Sequence, residues 1–342
     1  MINPQFMQRA LQLARLGAGA VSPNPMVGCV IVHDNKIIGE GYHQKYGQAH
    51  AEVNAINAVL DKSILSKSTV YVTLEPCSHF GKTPPCADLL IKHQVKEVII
   101  CNNDPNPLVA GQGIEKLRQA GIEVRFGVLQ EEGRELNKRF FTYLEKKRPY
   151  IILKWAESMD GFIAKKNYEA FQISNVLSRR FVHKMRSEED AIMVGTNTTK
   201  YDNPTLNTRF WTGKNSSRIL IDKDLSLPKS LHIFDNSQAT ICYNLLNDDI
   251  LDNTILVKIP TNNSIEQFII QDLYQRKIQS IIIEGGTILL QSFIDLGLWD
   301  EAFILKSKLI LEDGIAAPKI GGIEVMRENL GNNVLIKWKP SL

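Results

Sequence analysis

Three residues whose side chains suit a borderline-soft metal are spread through the first third of the chain: His50, Cys77 and Cys86. An imidazole and two thiolates suit Zn²⁺, which in catalytic sites commonly takes three protein ligands and keeps a fourth position for water. Zinc acidifies such a water from about 15.7 to about 7, so hydroxide is available at neutral pH. Glu52 follows His50 by two residues and is surplus to the ligand set, which leaves it free to move protons as general acid and base. The chemistry this predicts is hydrolytic: water adds to a carbon bearing an exocyclic amine, and ammonia departs.

Two plainer readings compete, three unrelated buried residues or a structural zinc knuckle. Structural zinc sites usually close with four protein ligands, and the next cysteine, Cys101, ends a predicted strand fifteen residues beyond Cys86. Glu52 by itself also suits the positive end of a helix. His-x-Glu followed by Pro-Cys and a second Cys is the signature of zinc deaminases, whose two cysteines are usually separated by two residues. Here Cys77 and Cys86 are separated by eight, Ser78 to Pro85.

The elements that must hold these groups read as alternating helices and strands. Asn3-Pro4 predicts a capped helix with Phe6, Ala10, Leu13, Ala14 and Leu16 on its apolar face. Val27–Val32 and Ile37–His43 read as a hairpin about Asp34-Asn35. The spacing of Val53, Ile56 and Leu60 predicts a helix over 49–60, with His50 and Glu52 in its first turn. Strands over 69–74, 98–101 and 122–126 and helices over 87–91, 114–120 and 131–143 complete this half. The charged run Glu145-Lys146-Lys147-Arg148-Pro149 is the best boundary, giving domains over 1–145 and 150–342 with a linker over 146–149. Beyond it, strands are expected over 150–156, 191–194, 218–222, 239–243, 280–283, 301–305 and 334–338, and helices over 176–185, 264–274 and 288–296. Alternation of this kind implies an α/β layer fold in both halves.

Bulk properties agree with a two-domain globular chain. It has 342 residues, 44% of them hydrophobic and 23% charged, enough for a core in each half. A net charge of +3, evenly scattered, argues against a nucleic-acid surface. Five cysteines do not make a disulfide framework, and neither a signal peptide nor a membrane span is legible. A cytoplasmic protein is expected, with no nucleic-acid or membrane partner.

Several motifs then occur in one order: Pro23-Asn24-Pro25-Met26-Val27-Gly28, Glu40-Gly41-Tyr42-His43, His50-Ala51-Glu52-Val53, Thr73-Leu74-Glu75-Pro76-Cys77-Ser78-His79 through Pro85-Cys86, and Asp104-Pro105-Asn106-Pro107-Leu108-Val109-Ala110-Gly111. Together they resemble the bifunctional deaminase–reductase family of bacterial riboflavin biosynthesis, and the long spacer carrying Gly81-Lys82-Thr83 separates that family from tRNA and cytidine deaminases. The resemblance implies a cytidine-deaminase-like three-layer domain followed by a dihydrofolate-reductase-like α/β domain. It also implies one Zn²⁺ per chain, NADPH, and a phosphorylated ribosylaminopyrimidine deaminated at ring carbon 2. By that likeness Asn24, His43, His79, Lys82 and Asn106 line the first pocket. Taken alone, the two Asn beside prolines read as turn residues. The runner-up is another zinc nucleotide or tRNA deaminase with a C-terminal binding module, which a Cys-x-x-Cys spacing and a basic face would favour.

In the second half, the junctions Val194-Gly195-Thr196-Asn197-Thr198 and Ile283-Glu284-Gly285-Gly286-Thr287 pass from strand to helix through glycine, a form suited to anions. Neither is a G-x-G-x-x-G fingerprint. With Asp160-Gly161, Arg186 and the run Asp202 to Arg209 they resemble the reductase domain of the same family, which reduces the opened ribose at carbon 1. That likeness assigns Ala156, Gln172, Thr198, Asp202, Gly286, Thr287, Ile288, Leu289, Leu290, Gln291 and Ser292 to the cofactor. It assigns Arg186, Leu206, Arg209 and Glu284 to the substrate. Guanidinium forks at Arg186 and Arg209 also suit a phosphate on chemical grounds. Asp160 reads better as a turn residue before Gly161. Two departures stand out: Gln172-Ile173-Ser174 replaces a common Trp-Ile-Thr run, with Phe171 as the candidate aromatic wall, and Glu157 takes the place of a small residue. A homo-oligomer is expected.

Overall fold

The computed structural model describes residues 2–79, 84–106, 109–169, 171–260 and 264–341. The chain divides into two compact units, Met1–Lys146 and Lys147–Leu342.

The first unit runs α1 (Pro4–Arg15), β1 (Gly28–His33), β2 (Lys36–Tyr42), α2 (Ala51–Ala58), β3 (Thr69–Leu74), α3 (Cys86–Lys92), β4 (Glu97–Asn102), α4 (Gln112–Gln119), β5 (Glu123–Phe126), α5 (Gln130–Leu136) and α6 (Lys138–Lys146). Its sheet has the order β2-β1-β3-β4-β5. β1 is antiparallel to both neighbours, and β3, β4 and β5 are parallel. Alternation along the strands sends Val30, Val32, Tyr71 and Ile99 to the α1 side, against Met7, Ala10 and Leu13. Cys29, Ile31, Val70, Val72, Val98 and Ile100 face Ala51, Ala55, Ile56, Leu90 and Leu117 of α2, α3 and α4. The result is a three-layer α/β/α unit, in which the period of two fixes the face of every strand residue.

Asn3 caps α1, accepting the Gln5 N–H at 3.0 Å. The single helix expected over 131–143 is instead two, α5 and α6, broken at Asn137. The Asn137 side chain accepts the Met26 N–H at 2.8 Å and donates to the Met26 carbonyl at 2.9 Å, so it holds the loop before β1 in place.

Glycine sets the seat of α2. A Cβ on Gly41 would lie 2.3 Å from the Ala55 nitrogen and 2.5 Å from the Ala51 carbonyl oxygen, so β2 and α2 meet backbone to backbone. Gly41→Ala is therefore expected to push α2 off the sheet at a cost of ~1–3 kcal/mol, the usual penalty of overpacking. Calorimetry checks this as a lowered unfolding temperature of the first unit.

The second unit contains β6 (Tyr150–Glu157), β7 (Phe162–Ala164), α7 (Val176–Glu188), β8 (Ala191–Val194), α8 (Thr196–Asp202), β9 (Ser217–Ile221), β10 (Thr240–Asn244), β11 (Asp249–Leu251), β12 (Thr254–Lys258), α9 (Ile265–Gln275), β13 (Ser280–Ile283), α10 (Thr287–Asp295), β14 (Glu301–Ser307), β15 (Ile315–Ala316), β16 (Ile323–Leu330) and β17 (Asn333–Lys339). Ten strands form one sheet in the order β11-β12-β10-β9-β8-β13-β6-β14-β17-β16. The run from β12 to β14 is parallel throughout. One face packs on Ile269, Leu273, Leu290 and Phe293 of α9 and α10, and Met185 of α7 joins Tyr150, Ile152 and Ile282 in a separate cluster. Asp160 accepts backbone N–H groups of Leu311 and Glu312 at 2.8–3.2 Å, a structural turn role. No helix among the described residues is long and apolar enough to cross a membrane.

Candidate active sites

His50 is the N-cap of α2, extended at φ −73°, ψ 167°, and Cys86 is the first residue of α3. Cys77 sits in the loop after β3, tied to α3 by the Ala87 N–H to its carbonyl at 3.1 Å. His50 Nδ1 lies 3.3 Å from Cys86 Sγ and 3.6 Å from Cys77 Sγ, and the three ligand atoms all fall within 4.8 Å of one another. Zinc bonds of about 2.0 Å to nitrogen and about 2.3 Å to sulfur in a tetrahedron would put ligand atoms about 3.5–3.8 Å apart. The donor set fits zinc in both chemistry and spacing. Hydrogen bonds from Cys86 and His50 hold the Cys77 thiol well below its ordinary value, and the same contact and burial raise Cys86. Cys77 also accepts the Cys86 N–H at 3.2 Å. Cys101 lies on the opposite, α1 side of the sheet with its thiol on the Leu129 carbonyl at 3.0 Å, which leaves a three-residue ligand set among the described residues.

Glu52, in the first turn of α2, is buried beside this cluster. Burial, then the charge of Cys77, pushes its carboxyl up to about 7. That is the range in which a group can both take and return a proton.

Around the centre, Asn24 Nδ2 donates to His43 Nε2 at 3.1 Å, and His43 Nδ1 lies 3.1 Å from the Ala49 carbonyl oxygen. A carbonyl only accepts, so Nδ1 carries the proton and Nε2 receives the Asn24 amide. Burial lowers the His43 pKa, which keeps the ring neutral. Its ring stands edge-on to His50 at 5.5 Å. His79 and Asn106 follow the parallel neighbours β3 and β4 in the chain, and Asp104 Oδ1 accepts the Asn106 N–H at 2.8 Å; burial raises the Asp104 carboxyl. Ser78 Oγ is buried with no partner among the described residues. Lys82 lies outside the described residues.

In the second unit Ala156, Thr198 and the run from Glu284 to Gly286 lie at the carboxyl ends of adjacent parallel strands, the usual place for ligands in such sheets. Ala156 is near the end of β6, Thr198 is on α8 beyond β8, and Glu284-Gly285-Gly286 follow β13. Cβ atoms on Gly285 and Gly286 would lie 3.0 Å and 3.4 Å from Thr198 Oγ1, so the two junctions close on one another through glycine. Gly286 has φ +65° and caps α10 without a side-chain bond, leaving the first N–H groups of α10 for an anion. This cradle fits a nicotinamide dinucleotide. Thr287 Oγ1 donates to the Ala316 carbonyl at 2.5 Å, and Gln291 accepts the Lys319 N–H at 2.8 Å. Ile288 is exposed and Ser292 donates to the Leu289 carbonyl. Leu289 and Leu290 point into the core, so only their backbone is available to a cofactor. Asp202 is exposed at the end of α8. Gln172 is exposed and donates to the Ser174 carbonyl at 3.0 Å. Phe171 is exposed with Lys165 over its ring, while Glu157 is occupied by Trp155 Nε1 at 2.9 Å and by Lys306.

Arg186 holds Glu284 with a bidentate fork, Nε to Oε1 at 2.8 Å and Nη2 to Oε2 at 2.7 Å. Lys154 Nζ adds a third contact at 3.3 Å. Burial alone would raise Glu284; Arg186 and Lys154 hold it down to about 2. Arg186 is thus committed to a carboxylate, and the phosphate reading passes to Arg209. Arg209 is exposed, bonds only Thr205 and Asn207 through Nη1, and has no carboxylate partner among the described residues. Leu206 is buried with φ +53°. Burial and the charges of Arg186 and Arg209 lower His183 to about 4, so it accepts the Arg209 N–H at 3.2 Å as a neutral ring. Lys154 was not singled out from sequence; its signal is a lone cation inside the apolar run Tyr150-Ile151-Ile152-Leu153-Lys154-Trp155.

A three-layer unit with a His/Cys/Cys centre and a buried glutamate, joined to a parallel-sheet unit with a glycine cradle and an ionic cluster, defines a class: a zinc deaminase fused to a nicotinamide-dependent reductase. Residues 2–102 match the cytidine and deoxycytidylate deaminase zinc-binding region, and residues 149–314 match the RibD C-terminal domain. The riboflavin biosynthesis protein RibD of Aquifex aeolicus is 38% identical, covering 99% of this chain and 98% of its own. That of Escherichia coli is 34% identical over 96% of this chain and 94% of its own. The solved diaminohydroxyphosphoribosylaminopyrimidine deaminase/5-amino-6-(5-phosphoribosylamino)uracil reductase of Thermotoga maritima superposes with a TM-score of 0.90 at 36% identity, covering 98% of each chain. RibD of Acinetobacter baumannii gives 0.89 at 32% identity over 99% of each. The chain belongs to the RibD family: it is a bifunctional enzyme of riboflavin biosynthesis, with a zinc-binding deaminase domain and an NADPH-using reductase domain.

Proposed function

We propose that the first unit deaminates 2,5-diamino-6-ribosylamino-4(3H)-pyrimidinone 5′-phosphate and the second reduces the ribosyl group of the product to ribityl. The observation that carries the reading is the convergence of His50, Cys77 and Cys86 beside a buried Glu52. Zinc, when held by those three ligands, supplies an acidified water. Glu52 takes a proton at its carboxylate and returns it to the departing ammonia. The neutral His43 fixes the Asn24 amide, whose oxygen is then free to accept from a ring amine. His79 and Asn106 complete the pocket, and the family likeness gives the phosphate to His79 and Lys82.

In the second unit NADPH, when bound, supplies a hydride. Gly286, Thr287 and the following turn of α10 receive its phosphates, with Ala156, Gln172, Thr198 and Asp202 around the remainder. Glu284, held by Arg186 and Lys154, accepts hydrogen bonds from ring amines or ribityl hydroxyls; Leu206, whose side chain is buried with Ile192 and Val194, offers the substrate its backbone, and Arg209 meets the substrate phosphate. The substrate is a free small molecule. The enzyme acts as a homo-oligomer, a reading supported by the edge strand β16, which leaves Ile323 and Val325 exposed.

The test is stepwise product analysis with and without metal. A chelator is expected to abolish ammonia release while leaving NADPH oxidation on supplied deaminated intermediate unchanged. It is also expected to lower the unfolding temperature of the first unit, because ligand binding to the native state is stabilising. Metal-free protein that still released ammonia would overturn the zinc role.

A further inference from the structure

Glu75 follows β3 and immediately precedes Pro76-Cys77, yet it is not a ligand and does no acid–base work in the reading above. It is 6% exposed, and its carboxylate accepts four backbone N–H groups. Oε2 takes Asp104 at 3.3 Å and Gly111 at 3.0 Å; Oε1 takes Gly113 at 2.9 Å and Ile114 at 3.3 Å. One side chain thus grips both ends of the loop between β4 and α4. Between those ends Asp104 Oδ1 accepts the Asn106 N–H at 2.8 Å, turning the chain at Asn106. α4 has no cap of its own, since its N-cap is Gly111 at φ +77°, and Glu75 supplies the missing acceptor from another element. The seat is tight: a Cβ on Gly113 would lie 2.1 Å from the Pro76 carbonyl oxygen, next to the ligand Cys77.

We infer that Glu75 is a positioning residue for the deaminase site, setting the loop that presents Asn106 to the substrate relative to the strand end that presents Cys77. The inference rests on the proposed role of Asn106. A carboxylate is suited to this task because both oxygens accept and neither donates. An amide would keep one acceptor and turn an NH₂ group toward two N–H donors.

The test is a double-mutant cycle on the zinc-loaded full chain with E75Q, N106A and the pair. E75Q is expected to raise the deaminase KM by about tenfold and change kcat by less than about threefold, with zinc stoichiometry and reductase turnover unchanged. If Glu75 works through Asn106, the double variant is worse than N106A alone by no more than about twofold. A merely structural role would lower stability without this non-additivity. A wild-type KM in E75Q, penalties that multiply, or loss of zinc from E75Q would each overturn the inference. Should E75Q not yield folded protein, E75D, with the charge on a shorter stem, enters the same cycle under the same criteria. A wild type that releases no ammonia would instead sink the proposed function itself.

Discussion

Glu52→Gln is expected to lower the deaminase turnover by ~10²–10⁴-fold, the range contributed by a positioned general acid and base. Zinc content and reduction of supplied intermediate should stay at wild-type levels, because the ligand set and the second unit are untouched. The substitution keeps shape and burial but removes the proton-carrying oxygen. A second readout follows from the raised pKa. In the metal-free protein the buried carboxyl titrates at about 7 against an ordinary 4.5, so the folded state holds its proton longer than the unfolded one. The penalty of burying its charge is absent below the ordinary value, grows as pH rises from 4.5 to about 7, and is complete above that. Metal-free Glu52→Gln should therefore match or exceed the stability of metal-free wild type at pH 8, with the difference fading in acid. Inactivity with gained stability would separate a functional group from a structural one. Parallel loss of both activities in a folded variant would contradict separate sites.

Much of the first site was legible because its chemistry is local. His50 and Glu52 are two residues apart on one helix start, and Cys77 and Cys86 flank one loop, so spacing carries the information. The second site was legible only as types. Arg186 and Glu284 are 98 residues apart, and nothing in the spacing says that the guanidinium is spent on that carboxylate rather than a phosphate. Lys154 was hidden for the same reason, since a lysine in an apolar strand acquires meaning only when β13 lies beside β6. Glu75 sits within Thr73-Leu74-Glu75-Pro76-Cys77, but its four N–H partners come from 29 to 39 residues downstream. The break at Asn137 depends on Met26, 111 residues away, so local helix periodicity ran straight through it. β16 was missed because its residues are mostly exposed, and an edge strand without a buried face shows no apolar alternation.

Glu284→Gln should give the largest loss in the second unit, because it removes the one carboxylate that, among the described residues, balances two buried cations. Arg186 and Lys154 have side chains only 12% and 13% exposed, and neither can move its charge into water without breaking the cluster. Breaking a buried pair in this way costs ~3–5 kcal/mol, mostly for the charge left behind. Reductase kcat/KM is expected to fall by ~10²-fold or more, since the acceptor for the substrate and the geometry of Arg186 go together. Ammonia release should be unchanged. The pH dependence has the opposite sign to that of Glu52. Glu284 is held down to about 2 from an ordinary 4.5, so its contribution is present above 4.5 and lost as pH falls toward about 2. Wild type should thus outlast the variant most clearly at neutral pH, with the gap narrowing in strong acid. Adding Lys154→Met to Glu284→Gln removes one unbalanced cation and is expected to recover part of the unfolding temperature without recovering turnover. Calorimetry and NADPH oxidation on the same preparations distinguish the two effects. If activity returned along with stability, Glu284 would be a structural counter-ion with no contact to substrate.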